Sequence, residues 1–245
     1  MKKLLLILLC VPLIGLGQNV YIPDSNFKAY LVGNSAINTN GDAEIQVSEA
    51  NIFSDSITFD WPTTSDLTGI EAFTALTYLD CSNTQLTSLD VSQNAALYYL
   101  GCRNNQLTSL NVSNNTALTN LRCYNNQLTT LDVSTNTALT ELACGSNQLT
   151  SLDVSNDTAL KELRCQDNQL TSLDLRNGNN TNMPTFTISF NATNNPNLYC
   201  INVDDVFWST TNWTVANGSI NTQHYFSNNC TSTVIEEYNT NKGIL

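Results

Sequence analysis

The sequence predicts a repeat solenoid of the β-rich α/β kind, a stack of 21-residue coils that each add one short strand to a parallel sheet, closed by a helical cap at the N-terminal end and a second cap at the C-terminal end. Three observations predict it. Leu76, Leu97, Leu118, Leu139 and Leu160 open five segments that align without a gap, from LTYLDCSNTQLTSLDVSQNAA to LKELRCQDNQLTSLDLRNGNN, and self-similarity at a fixed period of this length marks stacked supersecondary units. Within each unit apolar and polar residues alternate, as Leu79, Asp80 and Cys81 do, which is the period of a strand with one buried face. Beyond the first 17 residues no window approaches the ~18 apolar residues of a membrane span, so the apolar residues are expected to fill a core.

The chain opens Met1-Lys2-Lys3, runs almost wholly apolar from Leu4 to Leu16, and ends this stretch with Gly15-Leu16-Gly17 before Gln18. That order of charge, apolar run and small residues is a secretory signal peptide, so residues 1–17 are set aside and the mature chain is expected to be secreted or held at the cell surface. Cys10 follows Leu9 rather than a small residue, which argues against lipoprotein cleavage. Without Lys2 and Lys3 the chain keeps seven basic residues against 21 acidic. This balance opposes nucleic acid as a partner, because phosphates demand a positive surface.

Residues 18–66 are assigned to the N-terminal cap. Asp24 to Val32 (DSNFKAYLV) offers an N-cap residue and Phe27, Tyr30 and Leu31 at helical spacing, which predicts a short helix over the first coil. Residues 38–49 follow, with Asn38, Asn40, Asp42, Glu44 and Glu49 at the ligand places of an EF-hand loop, which this segment resembles. The resemblance implies Ca2+ held by the side chains of Asn38, Asn40 and Asp42, the Glu44 carbonyl and a bidentate Glu49. Asn38 replaces the usual Asp, and Ala43 stands where glycine permits a left-handed backbone. The other reading of the same residues is a hydrogen-bonded polar turn.

The solenoid is assigned to residues 67–180. Each unit reads L-x-x-L-x-C-x-x-N-x-L, with only Thr84 departing from Asn, and this resembles the leucine-rich-repeat family over residues 76–180, with a degenerate leading unit at Leu67, Ile70 and Phe73. The alternation directs Leu79, Cys81 and their equivalents inward. Asn105, Asn126, Asn147 and Asn168 fall where the chain leaves the strand, and a buried amide there can bond the backbone of adjacent coils. Leu86, Leu89 and Val91 close the other side of the coil, and Ala96, Ala117, Ala138 and Ala159 fit a tight corner. Cys81, Cys102, Cys123, Cys144 and Cys165 are odd in number and point in parallel into the interior, so they read as buried free thiols rather than as metal ligands or disulfides. Cys200 and Cys230 lie outside the period, and a disulfide between them would close a cap over the last coil.

That cap is assigned to residues 181–233, with Phe186, Ile188 and Phe190 alternating as one further strand. Residues 234–245 look like the opening of a sorting domain, and the layout NVYIPDSNFKAYLVGN before the repeats and NNPNLYCINVDD after them is similar to exported repeat proteins of Bacteroidetes-type bacteria.

Function is expected on the outward strand positions, which vary while the inward ones do not. They form three columns: Tyr78, Tyr99, Asn120, Glu141, Glu162; Asp80, Gly101, Arg122, Ala143, Arg164; and Ser82, Arg103, Tyr124, Gly145, Gln166. Tyr78, Tyr99, Arg103, Arg122, Tyr124 and Arg164 thus gather on one face of an acidic chain, and Arg and Tyr are enriched in binding hot spots. The face is read as recognising an extracellular protein or glycan, the alternatives being a structural spacer or surface scaffold, and long side chains that merely pair with Glu141, Glu162 and Asp80 across adjacent coils. A column of Asp90, Asn111, Asp132, Asp153 and Asp174 reads as solvated turns. No enzyme is expected, since His224 is the sole histidine and has no evident nucleophile beside it.

Overall fold

The computed structural model describes residues 17–58, 62–184 and 189–230. Nearly all of the expected signal peptide, the residues Phe186 and Ile188, and the sorting-like tail 234–245 lie outside them.

Among the described residues the strands in chain order are β1 Ser56–Thr58, β2 Tyr78–Asp80, β3 Tyr99–Gly101, β4 Asn120–Arg122, β5 Glu141–Ala143 and β6 Ser151–Asp153. There follow β7 Glu162–Arg164, β8 Ser172–Asp174, β9 Phe190–Asn191, β10 Cys200–Asn202 and β11 Tyr225–Ser227. Seven of them form one parallel sheet in the order β1-β2-β3-β4-β5-β7-β9, and four form a second in the order β11-β10-β8-β6. A constant period superposes equivalent residues, so Leu79, Leu100, Leu121, Leu142 and Leu163 lie in register and fully buried. The repeat solenoid read from the sequence is therefore the fold.

The interior is built from ladders. Cys81, Cys102, Cys123, Cys144 and Cys165 are free thiols with no exposure. Beside them Asn105 donates its amide to the carbonyls of Cys81 and Cys102, and accepts from the Leu86 N–H. Asn126, Asn147, Asn168 and the more distant Asn195 repeat this pattern. The residue just before each of these, and Asn83 before Thr84 in the first coil, holds a left-handed backbone, with φ between 52° and 57° at Asn83, Asn104, Asn125, Ser146, Asp167 and Asn194. Asparagine and aspartate tolerate that region better than most L-residues, and Asn104 and Asn125 also donate to the equivalent residue of the preceding coil.

A second interior amide column was not read from the sequence. Asn94, Asn115 and Asn136 have no exposure, and the Asn115 amide donates to the carbonyls of Val91 and Asn94, 2.9 Å each. Asp157 occupies the next place in this column, equally buried and with neither carboxyl oxygen hydrogen-bonded.

Both ends extend the stack further than the period reveals. β1 pairs Ile57 with Leu79, so the first rung lies inside the segment assigned to the N-terminal cap. A coil slightly longer than the repeat and the SIT sequence of this rung hide it from the leucine pattern, and Leu67, Ile70 and Phe73 form the later half of that coil. At the other end Phe190 reaches its partner Leu163 through a coil longer than the repeat, and β10 and β11 continue the second sheet.

The helix α1 (Ser25–Gly33) is capped by Asp24, which accepts from the N–H groups of Asn26 and Phe27, and it buries Phe27 and Leu31. A short helix α2 (Val47–Ala50) follows the 38–49 loop. At the far end α3 (Val206–Asn212) is capped by Asp205, and Trp213 packs on Phe190 and Phe226 with ring centroids 4.3 Å and 5.8 Å away. The Cys200–Cys230 disulfide is formed. Its 30-residue separation corresponds to about 3 to 4 kcal/mol in the chain-entropy account.

Candidate recognition surface

The parallel register converts the three outward columns into a continuous face on the seven-stranded sheet. Tyr78 and Tyr99 are register partners, and their rings stack with centroids 4.1 Å apart and planes 4° from parallel. Gly101 gives this arrangement room: a Cβ there would stand 2.8 Å from Asp80 Oδ1 and 3.1 Å from Tyr99 Cε1, so a larger residue would displace the Asp80 side chain. Gly145 gives Gln166 the same room.

The charged residues of the face are mostly paired. Arg122 forks onto Glu141 through Nε and Nη2 at 2.8 Å and 3.0 Å, and its guanidinium carbon lies 5.6 Å from the Tyr99 ring centre. Asn120 donates to the same carboxylate at 2.9 Å. Burial pushes the Glu141 carboxyl upward, but the bonds from Arg122 and Asn120 outweigh it and hold it below its ordinary value. Arg164 pairs with Glu162 two residues before it on the same strand, and the Tyr99 hydroxyl lies 3.5 Å from Asp80. Arg122–Glu141 and Tyr99–Asp80 are contacts across adjacent coils, whereas Arg164–Glu162 lies within one strand rather than between coils. Arg103 differs, because its Nη1 donates to the Tyr124 hydroxyl at 2.6 Å and no carboxylate among the described residues forms an ion pair with it.

One contributor escaped the columns. Tyr98 precedes the first column by one residue, at a place held by Thr77, Thr119, Thr140 and Lys161 in other coils. It is 47% exposed and meets Tyr78 edge to face at 6.1 Å. The signal was available as the one aromatic in a column of Thr and Lys.

The 38–49 loop is held by its own hydrogen bonds. Glu49 Oε1 accepts from the N–H groups of Thr39 and Asn40 and from the Thr39 hydroxyl, and Oε2 accepts from the Gln46 N–H. Burial raises this carboxyl, yet the bonds from Gln46, Thr39 and Asn40 prevail and keep it low. Asn38 donates to the carbonyls of Val32 and Asp42, Asp42 accepts from the Glu44 N–H, Asn40 and Gln46, and Glu44 pairs with Lys28. In this arrangement Glu49 is engaged by four internal donors, as in a hydrogen-bonded polar turn, and a bidentate role would require it to release them. Among the described residues no group of three or more His, Cys, Asp or Glu side chains is placed to hold a metal ion.

The remaining chemistry is structural. Asp90, Asn111, Asp132, Asp153 and Asp174 each accept from the backbone N–H two residues on, which is how such residues form turns. His224 is buried, accepts from the Asn221 N–H at 3.3 Å, and is held below its ordinary pKa by that burial. No helix among the described residues is long and apolar enough to cross a membrane.

Coils of constant length from β2 to β7, in-register leucines and an inward column of cysteines define a leucine-rich-repeat solenoid carrying a thiol ladder. The chain is similar to the functional domain of InlJ from Listeria monocytogenes, described as including a cysteine ladder, at 37% identity over 76% of this chain with a TM-score of 0.58. An internalin, InlF, of the same organism shares the fold at 20% identity over 87% of this chain, with a TM-score of 0.55. The chain spans 38% of the first of these structures and 59% of the second. No protein-family model matches the sequence, and a search of curated proteins finds no match.

Proposed function

We propose that this protein is a non-enzymatic binding module, secreted or held at the cell surface, that recognises an extracellular protein or glycan through the Tyr- and Arg-bearing face of its seven-stranded sheet. The observation that carries this reading is the contrast between columns. Inward positions repeat Leu, Cys and Asn almost without change, whereas the outward ones place a tyrosine stack, a cation over its ring, and an arginine with no carboxylate partner among the described residues on the same rigid frame. Preorganised aromatic and guanidinium groups lose little conformational freedom on binding, and a solenoid offers them as an extended surface. The signal peptide, the disulfide and the likeness of the chain ends to exported repeat proteins of Bacteroidetes-type bacteria support the exported location.

The pairing of Arg122 and Arg164 within the face concentrates the reading on Arg103 and Tyr124. The test is a binding screen against extracellular proteins and surface glycans with the parent and an Arg103→Glu, Tyr124→Ala variant. A partner retained by the parent and lost by the folded variant is expected. A partner bound alike by both removes these residues from the site, and the absence of any partner returns the spacer as the better account.

A further inference from the structure

The turn that hands the last leucine-rich coil to the C-terminal cap carries chemistry that recognition does not use. Asn177 is the buried member of an Asn–Gly pair, and its Oδ1 accepts from the Asn179 N–H at 3.0 Å and from Asn180 Nδ2 at 3.5 Å. The Gly178 N–H donates to Asp204 Oδ2 at 2.8 Å. We propose that this is a self-modification site: the Gly178 nitrogen attacks the Asn177 side-chain amide with Asp204 as base, closing a cyclic imide that water then opens to aspartate or isoaspartate. The proposal stands independently of the recognition face.

Register and turn chemistry bring these groups together. β10 pairs with β8 in parallel, with Asn202 opposite Asp174, so two residues further on Asp204 comes beside the 176–178 turn. Its own N–H is held there by Asn180 Oδ1 at 2.9 Å. The bond from the Asn179 N–H folds the Asn177 side chain back over its own backbone as an Asx turn, which carries the amide carbon towards the Gly178 nitrogen. Gly178 is exposed and holds a left-handed backbone at φ 74°, and a Cβ built on it would meet nothing within 4 Å. The nitrogen is therefore unhindered and open to water.

Each step has a group in place. Asp204 takes the Gly178 proton, the freed electron pair forms the N–Cγ bond, and the carbonyl pair shifts onto Oδ1. There the Asn179 N–H and Asn180 Nδ2 stabilise the developing charge as an oxyanion hole does. Collapse breaks the Cγ–Nδ2 bond, and the leaving nitrogen takes up the proton and departs as ammonia. Asn177 Nδ2 is buried with no hydrogen-bond partner among the described residues, so its departure breaks no bond and removes an unsatisfied donor. Water then adds across either C–N bond of the imide. While the imide lasts, Gly178 has no N–H to donate, which unties the last coil from Asp204.

Two further Asn–Gly pairs, Asn40–Gly41 and Asn217–Gly218, share the glycine and the turn but lack the base. Asn40 Oδ1 accepts from the Asp42 N–H and Asn217 Oδ1 from the Ser219 N–H, and both glycines hold positive φ. The Gly41 N–H, however, donates to Asn38 Oδ1 and the Gly218 N–H to the Val215 carbonyl. Neither acceptor is a base at neutral pH, so the carboxylate sets Asn177 apart.

The test incubates the full chain near neutral pH, folded and in guanidinium, and follows the three Asn–Gly peptides by mass spectrometry through the amide-to-acid mass gain and the separation of isoaspartate from aspartate. In the folded parent Asn177 is expected to convert more than about tenfold faster than Asn40 and Asn217, and faster than it does in guanidinium, where the three become alike. Asp204→Asn, at an exposed site, should bring Asn177 down to the rate of the other two with the circular dichroism unchanged, and Asp204→Glu, which restores a carboxylate, should recover part of the rate. Conversion of Asn177 no faster in the folded parent than in guanidinium, or undiminished in the folded Asp204→Asn variant, would overturn the proposal. If that variant does not fold, the comparison of folded and unfolded parent decides alone.

Discussion

Asp157 stands in a column whose other members are amides, and Asp157→Asn is expected to stabilise the solenoid in a manner set by pH. Asn115 and Asn136 each donate to two carbonyls of the preceding coil, whereas Asp157 has no amide to offer and its carboxyl oxygens are buried without partners. Burial, and secondarily the charge of Asp153, push this carboxyl from 3.8 up to about 7. A raised acid is protonated in the folded chain where the unfolded chain has already ionised. It therefore contributes no penalty below the unfolded value, a growing one as pH climbs from 3.8 to about 7, and the full penalty above that. Roughly three pH decades at about 1.4 kcal/mol each bound the penalty at about 4 kcal/mol, less whatever local relaxation recovers. The asparagine variant should then gain about 2 to 4 kcal/mol near about pH 8.5, and no more than about 1 kcal/mol near about pH 3, below the unfolded value of 3.8, where only the amide bonds distinguish it from a neutral acid. Urea unfolding followed by circular dichroism at the two pH values measures the difference. Hydrogen exchange over residues 139–175 locates it, since repeat stability is carried by neighbouring coils. A gain equal at both pH values, or none at the higher, would refute the reasoning.

Three further outcomes are expected. Asn147→Ala removes donors to the carbonyls of Cys123, Cys144 and Gly145 and the acceptor of the Leu128 N–H, and should cost about 2 to 4 kcal/mol, read from the shift in urea midpoint. Burial pushes the thiols of Cys123 and Cys165 up to about 12, so iodoacetamide at about pH 8 should label none of the five ladder cysteines in the folded protein and all five in denaturant; mass spectrometry of the native sample showing ladder labelling would count against the sealed core. Because Glu49 is saturated by internal donors, addition of about 1 mM calcium or of a chelator should leave the thermal midpoint unchanged, and a rise with calcium alone would show that the loop rearranges around the ion.

The coil and its period, the inward leucines and cysteines, the first asparagine ladder and the disulfide were all legible in the sequence alone. A solenoid places the same residue in the same surroundings once per turn, so local pattern and tertiary environment coincide. The ends were less legible for the same reason: the coils that lead from β1 to β2 and from β7 to β9 depart from the leucine period, and a rung that breaks the period loses its signal while keeping its register. What the outward columns do emerged from the folded chain. Composition placed Arg122, Arg164 and Arg103 alike, but cross-coil register pairs the first with Glu141, strand spacing pairs the second with Glu162, and the third is left on a tyrosine. Tyr98 gains its meaning from the edge of Tyr78, and Asp157, plain in the sequence as one acid among asparagines, becomes consequential through its burial. Interactions between coils depend on which side chains the stacking brings together, and those partners stand about a full coil apart in the chain, beyond the reach of any local pattern.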